Sequence, residues 1–208
     1  MICYKLFLFD VFFPIGASHF FSSTPALSLL QTRIMQTREA RGVKRDIFLI
    51  ADGGYDTHAN VDATLIDNFS GINAAMQAFV DELKLLNLWE NTVVVQFSEF
   101  ARTLDPNSGS GTDHAWGGHH FMFGGNVNGG QVLGKYPKAF EIGDEDQIAL
   151  NRGRIIPTTP WDAMWQGAAE WFGIPPNSPG MDKVLPMHMN FPDLVDSYHE
   201  SDLFGTGA

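Results

Sequence analysis

Apolar positions along this chain change period several times, and each change marks an element. Arg45 to Ala51, "RDIFLIA", is a short β-rich apolar run and predicts a strand. It delivers "DGGYDTH", a loop with two glycines and three polar residues of ligand type. From Asp62 to Leu88 the period becomes helical. Leu65, Phe69, Ile72, Met76, Phe79, Leu83 and Leu86 recur at alternating spacings of three and four, so they fall on one stripe. "TVVVQFS" (Thr92 to Ser98) predicts a second strand, of the kind buried on both faces in a parallel sheet. It too ends in polar residues, "SEFARTL". "HHFMFGG" predicts a third strand, and "NVNGGQVLGKYP" predicts turns or a hairpin. Further on, Thr159 as cap, Pro160 at the first helical position and Gly173 as stop predict a helix through Phe172. Its Trp161, Met164, Trp165, Ala168 and Trp171 are expected to pack on the sheet.

At 208 residues and 44% hydrophobic content, the chain reads as one domain, or the larger part of one, with a substantial core. The net charge of -11 argues against nucleic acid or an anionic membrane surface as partner, because both require a basic face. It leaves room for a small anionic substrate, since bound cations reverse the sign of a site locally. No stretch reaches the ~20 apolar residues of a membrane span. The single cysteine, Cys3, permits neither an internal disulfide nor a cysteine-based zinc site. The opening "MICYKLFLFDVFFPIGASHFFSS" has roughly the layout of a secretory signal, which raises a secreted or periplasmic location, although Asp10 interrupts the apolar run. Residues 1–44 are therefore read as a leader or gene-model artefact, or else a buried strand, and residues 45–208 as the folded domain.

Chemistry gathers in three places. "GSGTDHAWGGHH" sets three of the seven histidines within seven positions, beside an aspartate. The clusters Asp52/Asp56/His58, Ser98/Glu99/Arg102 and Asp113/His114/His119/His120 fall where two or three adjacent strands are expected to end. If those strands are parallel neighbours, the clusters share one sheet edge, where α/β proteins bind ligands. Imidazoles and carboxylates converging there suit one or two divalent ions (Zn, Mn, Mg or Ca) held without cysteine. Since His119 and His120 open a predicted strand, their side chains should point to opposite faces. The competing reading is a satisfied polar network, with Asp113 on backbone N–H groups and Glu99 on Arg102.

"GGYDTHANV", "TVVVQFSEFARTL", "GTDHAWGGHHFMFGGNVNGGQVLGKYP" and "RGRIIPTTPWDAMWQGAAEWFGI" resemble successive blocks of the DUF1501 family, over roughly residues 45 to 195. That family is related to the alkaline phosphatase and sulfatase superfamily. The resemblance implies an α/β fold: a partial α/β/α sandwich of the alkaline phosphatase type, with a mostly parallel sheet and its amino-terminal half absent. It also implies metal ligands at Asp113 and His114, at Asp56 and His58, and at His119 or His120. Two departures stand out. Only Thr57 separates Asp56 from His58, where the superfamily commonly has three intervening residues. Residues 1–44 do not resemble the half that carries the superfamily's nucleophile, and no motif makes Ser98 or Thr112 one. The expected activity is metal-dependent hydrolysis of phosphate or sulfate esters. Glu99 would serve as ligand or base, and Arg102 would hold the anionic oxygens. The alternative is a non-catalytic or truncated secreted or envelope protein of the same fold. A dimer or a completing partner would cover the sheet's unpaired edge.

Overall fold

The period changes read from the sequence reappear as elements in the computed structural model, which describes residues 4–11, 18–22, 25–136, 149–190 and 198–205. Strands β1 (Tyr4–Val11) and β2 (Ser18–Ser22) and helices α1 (Pro25–Gln36) and α2 (Arg38–Arg41) precede β3 (Arg45–Asp52). Cys3, residues 12–17 and residues 23–24 of the leader reading lie outside the described residues, as does Pro137 of the hairpin segment. In β3 burial alternates, with Asp46, Phe48 and Ile50 turned inward, as a strand's period of two requires. The buried Asp46 carboxylate is paired with Arg41.

Helix α3 (Val61–Leu85) follows the apolar stripe, yet only its carboxyl-terminal half is core. Phe79 and Leu83 are buried, whereas Phe69 is 49% exposed. Next come β4 (Thr92–Phe97), buried along its whole length, the short β5 (Ala101–Arg102) and β6 (His114–Ala115), and β7 (Phe121–Gly124). The chain continues through β8 (Ala149–Leu150), β9 (Arg154–Ile155), α4 (Trp161–Trp171), α5 (Pro179–Val184) and α6 (Glu200–Leu203).

The principal sheet has the order β2-β3-β1-β4-β7. Strand β1 is antiparallel to both β3 and β4, and β7 is antiparallel to β4. Among the described residues, only β2 and β3 run parallel. Two small antiparallel ladders, β5–β6 and β8–β9, complete the strands among the described residues. The expected mostly parallel sheet of an alkaline phosphatase-type sandwich is therefore corrected to mixed helix and largely antiparallel sheet. The physical reason lies in what a continuous apolar run encodes. Thr92 to Phe97 signals burial on both faces, and burial does not specify the direction of the neighbouring strand.

The inserted β1 nonetheless preserves one consequence of the parallel reading. Because β3 and β4 are each antiparallel to β1, they point the same way. Lys5 of β1 aligns with both Ala51 and Phe97, so the two strand ends are level. The loops that follow them leave from the same edge of the sheet. Below that edge, Phe48, Ile50 and Val94 pack with Met35, Phe79, Leu83 and Leu88 on one face. Val93 and Val95 pack with Ala168, Leu203 and Phe204 on the other. Burying a Leu or Phe side chain of this kind contributes about 1.5–3 kcal/mol, which makes the strands a firm base for the loops. Among the described residues, no helix is long and apolar enough to cross a membrane.

Candidate metal centre

The two loops above β3 and β4 are joined along their backbones. Thr112 N–H donates to Thr57 O at 2.9 Å, Asn60 N–H to Gly109 O at 3.2 Å and Val61 N–H to Ser110 O at 3.0 Å. Asn107 Nδ2 adds a bond to His58 O at 3.0 Å. The approach is close enough to demand glycine at position 111, where a Cβ would lie 2.1 Å from the His58 carbonyl carbon. Beneath the loop, Tyr55 is buried and its hydroxyl donates to Asp52 Oδ2 at 2.7 Å. On the other side, the β5–β6 ladder sets His114 opposite Arg102. It is extended by Thr103 N–H to Asp113 O at 2.8 Å.

This framework brings Asp56, His58 and His114 together, with one donor atom from each inside a 4.8 Å group. Asp56 Oδ1 lies 2.9 Å from His58 Nε2 and 3.1 Å from His114 Nε2. All three residues are solvent-accessible, and Phe100 stacks on the His114 ring with centroids 3.8 Å apart. Arg102 is anchored on this group, with Nη1 on Asp56, Nε on Thr112 Oγ1 at 2.9 Å and Nη2 on Thr112 O. Burial alone would raise the Asp56 pKa. Hydrogen bonds from Arg102 and His114, and the charges of both histidines, outweigh it and hold the carboxyl below its usual value.

Asp113 sits one layer out. Its Oδ1 faces His58 Nδ1 at 3.0 Å and accepts from Asn107 Nδ2 at 3.2 Å, while Oδ2 is paired with Arg152. Hydrogen bonds from Asn107, Arg152 and His58 bring its pKa down to about 2. An open depression beside the group is lined by His58, Asn107, Asp113 and Arg152 among others.

The remaining sequence candidates stand apart from this group. Glu99 is exposed and supplies none of the group's donor atoms. His119 stacks on Tyr136 at 5.0 Å, and His120 meets Trp161 edge-on at 5.3 Å. Desolvation, aided by the neighbouring His119, lowers the His120 pKa. Ser98 Oγ donates to Phe100 O at 3.0 Å.

Sequence reasoning missed Arg152 and Arg154. The turn between β8 and β9 carries Arg152 and β9 opens with Arg154, whose Nε donates to His114 O at 3.2 Å. The available signal was "NRGR", two arginines around a glycine in an acidic chain. Two imidazole nitrogens and one carboxylate oxygen form a donor set suited to zinc or manganese with open positions remaining. The distances among them permit one shared cation. Residues 22–149 match a family described as "Protein of unknown function (DUF1501)". No curated protein and no solved structure matches the chain.

Proposed function

The chain belongs to the DUF1501 family, and from that premise we propose that it is a metal-dependent hydrolase of phosphate or sulfate esters acting on a small anionic substrate. The observation that carries this reading is the convergence of Asp56, His58 and His114 donor atoms within 4.8 Å. A chain of net charge -11 also gathers Arg102, Arg152 and Arg154 around that point. An acidic protein repels an anionic ester unless positive charge collects where the ester binds. A divalent ion on the three donors would polarise the ester and lower the pKa of a bound water.

The chain's own residues supply the rest. His58 and His114 present ring nitrogens, and Arg102 keeps Asp56 ionised and oriented. Phe100 covers one face of the His114 ring against water. The depression beside His58 and Arg152 leaves a side open for substrate. Kinship with the alkaline phosphatase and sulfatase superfamily is part of this proposal and rests on the donor loops, not on the sheet.

One observation favours a second reading, a non-catalytic metal-binding protein. Ser98 Oγ is committed to Phe100 O and Thr112 Oγ1 to Arg102, so neither hydroxyl is set up as a nucleophile by an adjacent base. In the hydrolase reading, water attacks directly. Elemental analysis before and after chelation, with zinc or manganese added back, comes first. Assays on p-nitrophenyl phosphate and p-nitrophenyl sulfate follow. Turnover lost on chelation and restored by metal supports the hydrolase. Retained metal without turnover selects the second reading, and no metal under any condition overturns both.

A further inference from the structure

We infer that Asp113 is a positioning residue that acts through His58, rather than a ligand as its place in "TDH" would imply. The inference rests on the metal reading above and assigns roles within that site. The geometry is directional. Asp113 Oδ1 faces Nδ1 of His58 at 3.0 Å, while the opposite ring nitrogen, Nε2, is the one 2.9 Å from Asp56 Oδ1. An imidazole whose Nδ1–H donates to a carboxylate presents the Nε2 lone pair on the far side, in a fixed ring orientation. Both oxygens of Asp113 are already engaged, Oδ1 by His58 and Asn107 and Oδ2 by Arg152. The carboxylate is also fixed from behind, because Asp113 N–H donates to Thr103 Oγ1 at 3.0 Å. Its atoms are not part of the three-donor group.

The result is a relay from Arg152 through Asp113 to His58, drawn from three loops far apart in sequence. Its function is to hold one ring nitrogen on the cation. Outer carboxylates of this kind change metal affinity by about 10- to 100-fold when removed, without changing the ligand count.

The test is cobalt(II) titration of the chelated full chain, followed by its visible spectrum, in wild type, Asp113→Asn, Arg152→Gln and His114→Ala. The expected result for Asp113→Asn is one equivalent of cobalt bound about 10- to 100-fold more weakly, with the ligand-field bands of wild type. Arg152→Gln should weaken binding in the same direction by a smaller factor, and His114→Ala should bind no stoichiometric cobalt. Loss of binding in Asp113→Asn, or bands of a lower ligand number, overturns the inference and makes Asp113 a ligand. Wild-type affinity in Asp113→Asn overturns it as well.

If wild type itself takes up no cobalt, the metal reading fails separately. The Asp113–His58 pair is then judged by ¹⁵N spectra of the His58 ring. An Nδ1 shift that changes in Asp113→Asn supports the positioning role, and one that does not change overturns it.

Discussion

The Nε2 atoms of His58 and His114 lie 3.3 Å apart, although the two residues are separated by 56 positions in the chain. Two imidazole nitrogens this close, with the Asp56 carboxylate oxygen beside both, either share protons or share a cation. A cation satisfies all three donors at once. The two loops that carry these residues are held together by backbone hydrogen bonds, which fix where their side chains start.

Metal should stabilise the folded chain by mass action. With free zinc or manganese at about 100 times its Kd, the gain is roughly 2.7 kcal/mol, read as a raised thermal midpoint that chelator reverses. His114→Ala should lose this response. A wild-type midpoint indifferent to both metal and chelator would count against the site.

Gly111→Ala should damage the site without removing a donor. The added Cβ would meet the His58 carbonyl carbon at 2.1 Å, so the two loops must separate. A cost of about 1–3 kcal/mol is expected, together with loss of retained metal. Gly71→Ala is the contrast. Its Cβ meets nothing within 4 Å, and a helical Gly to Ala change should stabilise by about 0.8–1 kcal/mol. Equal metal retention in the two variants would show that loop closeness is irrelevant.

Helix α3 should respond unevenly to truncation. Leu83→Ala removes a fully buried side chain between the helix and the sheet and should cost about 2–5 kcal/mol. Ile66 is 65% exposed, and Ile66→Ala should stay within about 0.5 kcal/mol. Urea midpoints decide it, and similar losses at both positions would mean that the helix packs differently.

Glu170 should set part of the acid limb of stability. Burial raises its pKa, but the backbone N–H of Glu200 together with His199 and Gln166 outweighs that and holds the carboxyl below its usual value. A depressed folded pKa stabilises the protein above the unfolded value, near 4.3, and the benefit is lost as pH falls through the folded value. Glu170→Gln should therefore lower stability at neutral pH and flatten the decline on acidification. Matching pH profiles for wild type and variant would refute the role of the carboxylate. Glu170→Ala, which strips the Glu200 N–H and His199 of their acceptor, should cost about 1–3 kcal/mol.

Much of the local organisation was legible. The strand at Arg45 appears as β3 and the run from Thr92 as β4, while α4 starts at Trp161, with Pro160 as its extended N-cap in place of Thr159, and ends at Trp171, two residues before Gly173. Each rests on side-chain periodicity or on the backbone chemistry of proline and glycine, which act within a few residues. The loops bearing Asp56, His58, Asp113 and His114 were legible for the same reason, since polar donors set among glycines after a strand form a local pattern. The apolar stripe of α3 was less informative. It named Phe69 and Leu83 equally, and only the surrounding elements cover one and leave the other in water.

By itself the sequence determined the strands at Arg45 and Thr92, the long helix between them, the polar loops that follow those strands and the acidic charge. The tertiary structure alone decided that β1 runs antiparallel between β3 and β4, that the two loops meet at Gly111, and that Arg152 and Arg154 return to the site. It alone also turned Asp113 toward Nδ1 of His58 while His119 and His120 went to Tyr136 and Trp161. Strand direction and loop-to-loop contact depend on pairings between distant residues, whose free energies are set by geometry across the whole fold. A periodicity records which side of an element is buried, and carries no record of what buries it.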